Sequence, residues 1–343
     1  MSKQIKKVTI EDIAMYAGVS TATVSRALSD STSIKESTKL RIIEIANEHK
    51  YAVNHSAKLL SRQKSNTIAL FLPIFTYNLP NSAPIASDPF FLKVFSGILS
   101  QVGKLDKELL VSNFENKKNA KLVQAVRSKK ADGIIIYGGD ANDWANDPIV
   151  DDEFPVVFWG GSRSNPFHWL ASDEILGGEI AAEALIDAGC KNLAYIGGND
   201  TAFEAQGRLT GFKQYIEKQG MTLKESNISF EHYFPHSGFN QMNRLLESDP
   251  TIDGVFASAD VLALSAMNAI QNKGLRIPED IKIVGFDDID GAAVNNPSLT
   301  TISQDGFEAG KALVNRIIDI VEDRPITAKH ECLGLKLIKR NSC

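Results

Sequence analysis

Cysteine is scarce: Cys190, Cys332 and Cys343 are the only three in 343 residues, odd in number and far apart. That excludes a disulfide framework and a cysteine-based metal site, and reads as the reduced thiols of a cytosolic protein. Long hydrophobic runs are missing too. No apolar stretch approaches the roughly 18–20 residues that span a bilayer. The start, Met1-Ser2-Lys3-Gln4-Ile5-Lys6, has no hydrophobic segment of a signal peptide. A complete phosphate-binding glycine loop is absent: Ile196-Gly197-Gly198-Asn199 follows a candidate strand but forms neither a dinucleotide fingerprint nor a phosphate loop. The six histidines show no nucleophile–histidine pattern, and the carboxylates Asp287, Asp288 and Asp290 are the main enzyme-like cluster. No catalytic residue, metal or cofactor is therefore expected.

A surplus of positive charge is lacking overall, since the net charge is −5, yet the sign is unevenly spread. Residues 1–64 hold eleven Lys/Arg against six Asp/Glu, a local +5 that leaves −10 for the remainder. A basic head on an acidic body points to a polyanion met by the head alone.

The head is patterned as three short helices. Thr9 can cap the first, with Asp12 answering it three residues later, and Ile10, Ile13 and Ala14 share one face. Gly18 supplies the positive φ that ends this helix. Ser20 caps a second helix whose Val24 and Leu28 point back at the first. A third helix is expected to open at Ser33, with Glu36 completing a capping box, and to run through Leu40, Ile43 and Ala46 toward His49. Three such helices with a glycine turn between the first two make a helix-turn-helix. In that motif the amino end of the second helix meets the base edges of the major groove, here Thr21 and Ala22, with Arg26 one turn on. Arg26 can read a guanine bidentately; Ser20, Ser25 and the amino end of the third helix can hold phosphates.

From Thr67 the pattern changes. Apolar runs at Ile68–Leu72, Leu109–Ser112, Gly133–Tyr137, Val156–Trp159, Leu193–Ile196, Gly254–Ala257 and Ile281–Phe286 alternate with amphipathic helices such as Phe90–Lys104, Gly177–Ala188, Leu209–Gln219, Val261–Asn272 and Phe307–Val321. Continuous apolar strands between helices read as parallel sheets covered on both faces, and there are too many for one sheet. Two α/β lobes follow. Open parallel sheets bind ligands beyond the carboxyl ends of their strands, where Asp287 stands. A strand-end aspartate is also an ordinary turn or helix cap.

The run Thr9–Leu28, continued by Tyr51, Asn54, Ala57 and Leu60, resembles the headpiece of the LacI/GalR family of bacterial transcriptional regulators. The resemblance implies an all-α headpiece over residues 1–53 with Thr9 among its DNA contacts, a hinge helix and linker over 54–64, and a two-lobed periplasmic-binding-protein-like core over 65–343. Leu60, with Ala57 beside it, would wedge the minor groove; Val53 stands where the family usually has proline. Gly285-Phe286-Asp287-Asp288 is similar to the motif whose first aspartate contacts the effector. Gly207-Arg208-Leu209-Thr210-Gly211-Phe212 is similar to the segment whose arginine reaches the cleft. Tyr233 matches an aromatic platform, and Asp88-Pro89-Phe90-Phe91 resembles the loop entering the first lobe helix, with Phe91 lining the pocket. Gln206 stands where some members carry a cleft arginine, and Ala259 where many have asparagine. Trp159, Arg163 and Trp169 make the cleft aromatic-rich, a lining that suits sugars and purines alike. The implied partners are a double-stranded, pseudo-palindromic operator, a sugar or sugar derivative, and a second copy of the chain, with no membrane. An α/β enzyme and an exported sugar-binding protein are the rival readings: the first lacks a catalytic motif, and the second would need a signal where the helix-turn-helix stands.

Overall fold

The computed structural model describes residues 8–28, 33–51, 64–73, 85–114, 120–138, 154–161, 166–234 and 236–343. The chain divides into two compact units, Met1–Ser65 and Asn66–Cys343.

The smaller unit holds α1 (Ile10–Ala17), α2 (Thr21–Leu28) and α3 (Glu36–Glu48). The Thr9–Asp12 capping box forms in both directions, and Gly18 adopts φ 63°, ending α1 in the left-handed conformation. Ser20 Oγ accepts the Thr23 amide at 3.2 Å, capping α2. The third helix departs from the expected start: it begins at Glu36, with Lys35 at the cap position and no side-chain cap bond. Ile13, Ala14, Ala17, Val24, Ala27 and Ile42 close a small core against Leu28, Ile45 and Tyr51.

The larger unit contains two six-stranded sheets. The first orders its strands β2 (Glu108–Phe114), β1 (Thr67–Pro73), β3 (Gly133–Tyr137), β4 (Val156–Trp159), β5 (His168–Ser172) and β11 (His330–Leu333), all parallel. The second orders β7 (Ile228–Phe230), β6 (Leu193–Gly197), β8 (Gly254–Ala257), β9 (Lys282–Phe286), β10 (Thr300–Ser303) and β12 (Lys336–Ile338). Only β12 of these runs antiparallel to its neighbour. Helices cover both sheets: α4 (Pro89–Lys104), α5 (Ala120–Arg127) and α11 (Gly306–Val321) belong to the first lobe. The second carries α6 (Glu174–Asp187), α7 (Phe203–Lys218), α8 (Ser237–Ser248), α9 (Asp260–Asn272) and the short α10 (Asp290–Val294). Strands buried on both faces explain why β3, β6 and β8 are apolar throughout rather than alternating. Among the described residues no helix is long and apolar enough to cross a membrane.

Two helix pairs pack unusually close. A Cβ at Gly97 of α4 would lie 2.0 Å from the Phe307 carbonyl, and one at Gly310 of α11 2.0 Å from that of Val94. Likewise a Cβ at Gly211 of α7 would meet the Ile175 carbonyl at 1.8 Å, and one at Gly178 of α6 the Arg208 carbonyl at 2.0 Å. Glycine at these crossings lets backbone meet backbone, which seats α11 on the first lobe and α7 on α6.

The chain crosses between lobes three times. It leaves the first sheet after Ser172, returns through Gln304 and Asp305 into α11 and β11, and leaves again through Gly334 to β12. The last segments are thus exchanged between the lobes.

Candidate functional site

On the smaller unit, α2 turns Val24 and Ala27 into the core and leaves Thr21, Ala22, Ser25 and Arg26 exposed. These four form one solvent-facing row on a helix entered through a cap, with no ion pair among the described residues engaging Arg26. Thr9 and Ser20 are exposed as well, their hydroxyls engaged with Asp12 at 3.0 Å and Thr23 at 2.9 Å. Arg41 steadies the end of α1 by donating to the Ala17 carbonyl at 2.7 Å.

In the larger unit, both sheets have their strand order reverse beside the first strand, between β1 and β3 and between β6 and β8, which opens a crevice at the carboxyl ends. Asp287 follows β9 in a strained backbone conformation, φ 113°. Its amide donates to Ile302 O at 2.8 Å, and its Oδ1 accepts from Gln304 Nε2 at 2.6 Å. Burial pushes its carboxyl well above the usual range; Arg208 pulls it back, while Asp260 and Asp88 push it further up. Arg208, 5% exposed, lies over the Phe286 ring at 3.7 Å. Its Nε bonds Glu174 Oε2 at 2.6 Å, and its Nη1 donates to the Ser258 carbonyl at 2.6 Å. Burial disfavours its charge, but Glu174, Tyr233 and Asp287 hold the guanidinium protonated.

Tyr233 lies against Gly198 so closely that a Cβ there would sit 2.0 Å from the ring. Burial and the nearby Glu204 keep its phenol protonated. From the first lobe come Tyr137, at the end of β3, and Asp88, which caps α4 by accepting the Phe90 amide at 3.0 Å. Tyr137 is held protonated by burial first, then by Asp88, Asp287 and Glu204. These mutual influences join Asp88, Tyr137, Glu204, Arg208, Tyr233 and Asp287 in one electrostatic neighbourhood spanning both lobes. Asp260 lies beneath it, fully buried, accepting Thr301 Oγ1 at 2.6 Å and the Ile289 amide at 2.9 Å. Burial raises its carboxyl to about 7.

Residues 9–54 match the model of bacterial regulatory proteins of the lacI family, and residues 182–343 that of a periplasmic binding protein-like domain. The chain is 34% identical over 337 residues to a probable HTH-type transcriptional repressor, ExuR, of Bacillus subtilis (strain 168), covering 98% of each chain. The chain belongs to the LacI family. Further LacI-family relatives include the HTH-type transcriptional regulator DegA of the same organism (31%, 89% of this chain and 88% of the relative). Another is the ribose operon repressor of Halalkalibacterium halodurans (30%, 97% and 96%). Among solved structures, the lac repressor dimer bound to operator and the anti-inducer ONPF superposes with a TM-score of 0.85 at 25% identity, covering 98% of this chain and 99% of that one. The family is one of DNA-binding transcriptional regulators, not enzymes.

Within this LacI-family core the expected cleft residues are placed unequally. Asp287, Arg208 and Tyr233 come together. Gln206 is exposed and its amide donates to the Asp200 carbonyl at 2.6 Å, tying α7 to its preceding loop. Phe91 is buried in the first-lobe core, edge-on to Tyr137 at 4.9 Å and 5.7 Å from Phe95; it supports Tyr137 rather than standing free. Trp159 packs on Phe90 at 5.9 Å, whereas Trp169 stacks on His330 at 4.8 Å. Asn54, Ala57, Leu60 and Arg163 lie outside the described residues. Asp88 belongs to the site although its motif singles out Phe91, and Tyr137, Glu174, Glu204 and Gln304 join it from outside any of the expected motifs. A strand-ending tyrosine or a crossover glutamine has no signature until the lobes are folded together.

Proposed function

We propose that this regulator represses transcription as a homodimer bound to a pseudo-palindromic operator, and that a sugar or sugar derivative held between its lobes switches operator affinity. The reading divides the chain into a headpiece over 1–53, a hinge helix and linker over 54–64 and an effector core over 65–343, acting in the cytoplasm. The observation that carries it is the exposed row Thr21, Ala22, Ser25 and Arg26 on a capped helix, in a chain whose buried Asp287 follows β9 within the electrostatic reach of Arg208.

The second helix enters the major groove: Thr21, Ala22 and Arg26 face base edges, and Thr9, Ser20 and Ser25 hold phosphates. Asn54, Ala57 and Leu60 dock in the minor groove, with Leu60 as the kinking wedge. A nine-residue hinge helix is too short to persist alone, so DNA and a partner copy order it. One headpiece makes few contacts, and a two-fold pair reads two half-sites. Leu92 and Leu99 on α4, exposed beside Leu110 and Val111 of the edge strand β2, support a face for the second copy.

In the cleft, Asp287 accepts hydroxyl hydrogens, Tyr233 offers a flat ring face, and Arg208 lies beside the sugar, whereas Gln206 is held by the Asp200 carbonyl and takes no part. Two relatives are named ribose operon repressors, and a solved structure of similar fold is a CelR–cellobiose complex (TM-score 0.73, 23% identity, 98% of this chain and 100% of that one). These support a sugar over a purine. Closing the lobes on ligand changes the spacing at which paired hinge helices are presented. Coupling of about 1–3 kcal/mol gives a 5–150-fold change in operator affinity.

The test is two-part. Selection from random duplexes should return a pseudo-palindrome whose binding weakens steeply with salt. A thermal-shift panel of mono- and disaccharides, sugar phosphates and purines should yield a sugar that stabilises the wild type by roughly 2.7 kcal/mol at about 100 times its Kd, and not Asp287→Ala. No enriched duplex overturns the DNA reading; a purine hit overturns the ligand class. A sugar that weakens binding to the selected duplex is an inducer, and one that strengthens it a co-repressor.

A further inference from the structure

One side chain touches both the cleft and the passage between lobes. Gln304 is the residue at which the chain returns to the first lobe, and it is only 3% exposed. Its Nε2 donates to Asp287 Oδ1 at 2.6 Å. Its Oε1 accepts from Ser172 Oγ, at the end of β5, where the chain first leaves that lobe. With Asp287 Oδ1 accepting, the amide sets its NH2 toward the carboxyl and its oxygen toward the Ser172 hydroxyl; a flipped amide would oppose two acceptor oxygens at Oδ1. Polarity therefore runs in one sense, from the Ser172 hydroxyl through the Gln304 amide to the Asp287 carboxylate. On its other side Gln304 lines a groove of about 490 Å³ together with Gln101, Asp305, Glu308, Leu333 and Gly334, the last two at the third crossing.

We propose that Gln304 is the positioning residue that couples Asp287 to the hinge, holding the cleft carboxylate and Ser172 in one register and releasing both when that carboxylate takes another partner. The inference rests on the reading of Asp287 as an effector contact and names how engagement there leaves the cleft. A ligand hydroxyl that takes the Oδ1 lone pair now used by Gln304 leaves the Gln304 NH2 without its acceptor in a buried place, an arrangement that costs free energy. The groove offers the amide room to turn away, and turning breaks the Ser172 bond in the same movement. Two of the three crossings are then unpinned together, which is the two-state element a switch requires.

The coupling is measurable without any effector. In the full chain, amide hydrogen exchange over residues 172–176 is compared for wild type, Asp287→Ala, Gln304→Leu and the double variant. Asp287→Ala should change exchange at the first crossing at least fivefold, and less than twofold once Gln304 is leucine. Asp287→Asn, which keeps an acceptor oxygen, should restore wild-type exchange. Ser172→Ala should reproduce Gln304→Leu, and Ser172→Thr should not, which keeps the test open if the leucine variant folds poorly. A parallel readout is affinity for the selected duplex, which a purely structural glutamine leaves unchanged; it should follow the same pattern of dependence. An Asp287→Ala effect that is absent in the wild-type background, or equal in both backgrounds, overturns the proposal. Failure of the effector reading is seen separately, as a sugar response that survives Asp287→Ala.

Discussion

Arg208 has two commitments, and they make its substitution ambiguous unless stability is followed as well. The guanidinium faces the cleft neighbourhood, yet its bond to Glu174 joins two buried side chains. Removing one partner of such a pair strands the other charge, at a cost of about 3–5 kcal/mol. Arg208→Met should therefore lower the unfolding free energy of the core by about that amount in urea titration, and Arg208→Met with Glu174→Leu should recover part of the loss. Asp260 gives a pH signature of known sign. Its folded carboxyl is raised from 3.8 to about 7, so the contribution it makes at low pH is lost as pH rises from about 4 to about 7. His168, lowered to about 4, acts in the opposite sense over an overlapping range. The difference between wild type and Asp260→Asn isolates the aspartate: wild-type stability relative to the variant should fall between pH 4 and pH 7, read by urea midpoints.

At the scale of elements, two glycines in like surroundings of sequence should respond oppositely. Gly211→Ala drives a Cβ into the Ile175 carbonyl and should destabilise the core by about 1–3 kcal/mol as α6 and α7 separate. Gly103→Ala, in the last turn of α4 with nothing within 4 Å of the new methyl, should stabilise by up to about 1 kcal/mol. Thermal melts of the two variants check both signs. The same contrast explains what could be read from sequence. Helices with caps and one apolar face, such as α1 and α2, were legible, as were strands apolar from end to end, such as β3 and β8. The strands β5, β7, β10, β11 and β12 were not among those expected. They are short, and His168, Thr300, Thr301, His330 and Lys336 interrupt the apolar pattern; the buried Thr300 hydroxyl donates to the Cys343 carbonyl and accepts the Arg340 amide, and that of Thr301 donates to Asp260. Ser33 and Glu36 had the residue types of a capping box, but the helix starts where Glu36 is already its first residue. At the site, Asp287 and Arg208 stood in recognisable motifs; Gln206 and Phe91 did too, and their side chains are spent on a loop carbonyl and on the core.

For the whole molecule, charge is divided between a basic amino-terminal segment and an acidic remainder. Operator affinity should accordingly fall linearly with the logarithm of salt concentration. Arg26→Ala should cost about 1–3 kcal/mol on the selected duplex and relax preference at one base pair, by anisotropy titration against single-base variants. Chain path gives a second expectation at this scale. The sixth strand of the first sheet is β11 and that of the second is β12, so a fragment ending at residue 303 lacks an edge of both sheets and the helix packed on α4. Such a fragment, residues 66–303, should show no cooperative urea transition by far-ultraviolet circular dichroism.

That exchange of final segments also sets an order of events during synthesis. The amino-terminal unit has a closed core of its own and can fold as soon as it leaves the ribosome. Neither lobe can complete its sheet until residues 330–338 have emerged, and both then close almost together. A chain arrested shortly before that point would carry a folded helix-turn-helix unit beside a larger unit whose two sheets both still lack their sixth strand.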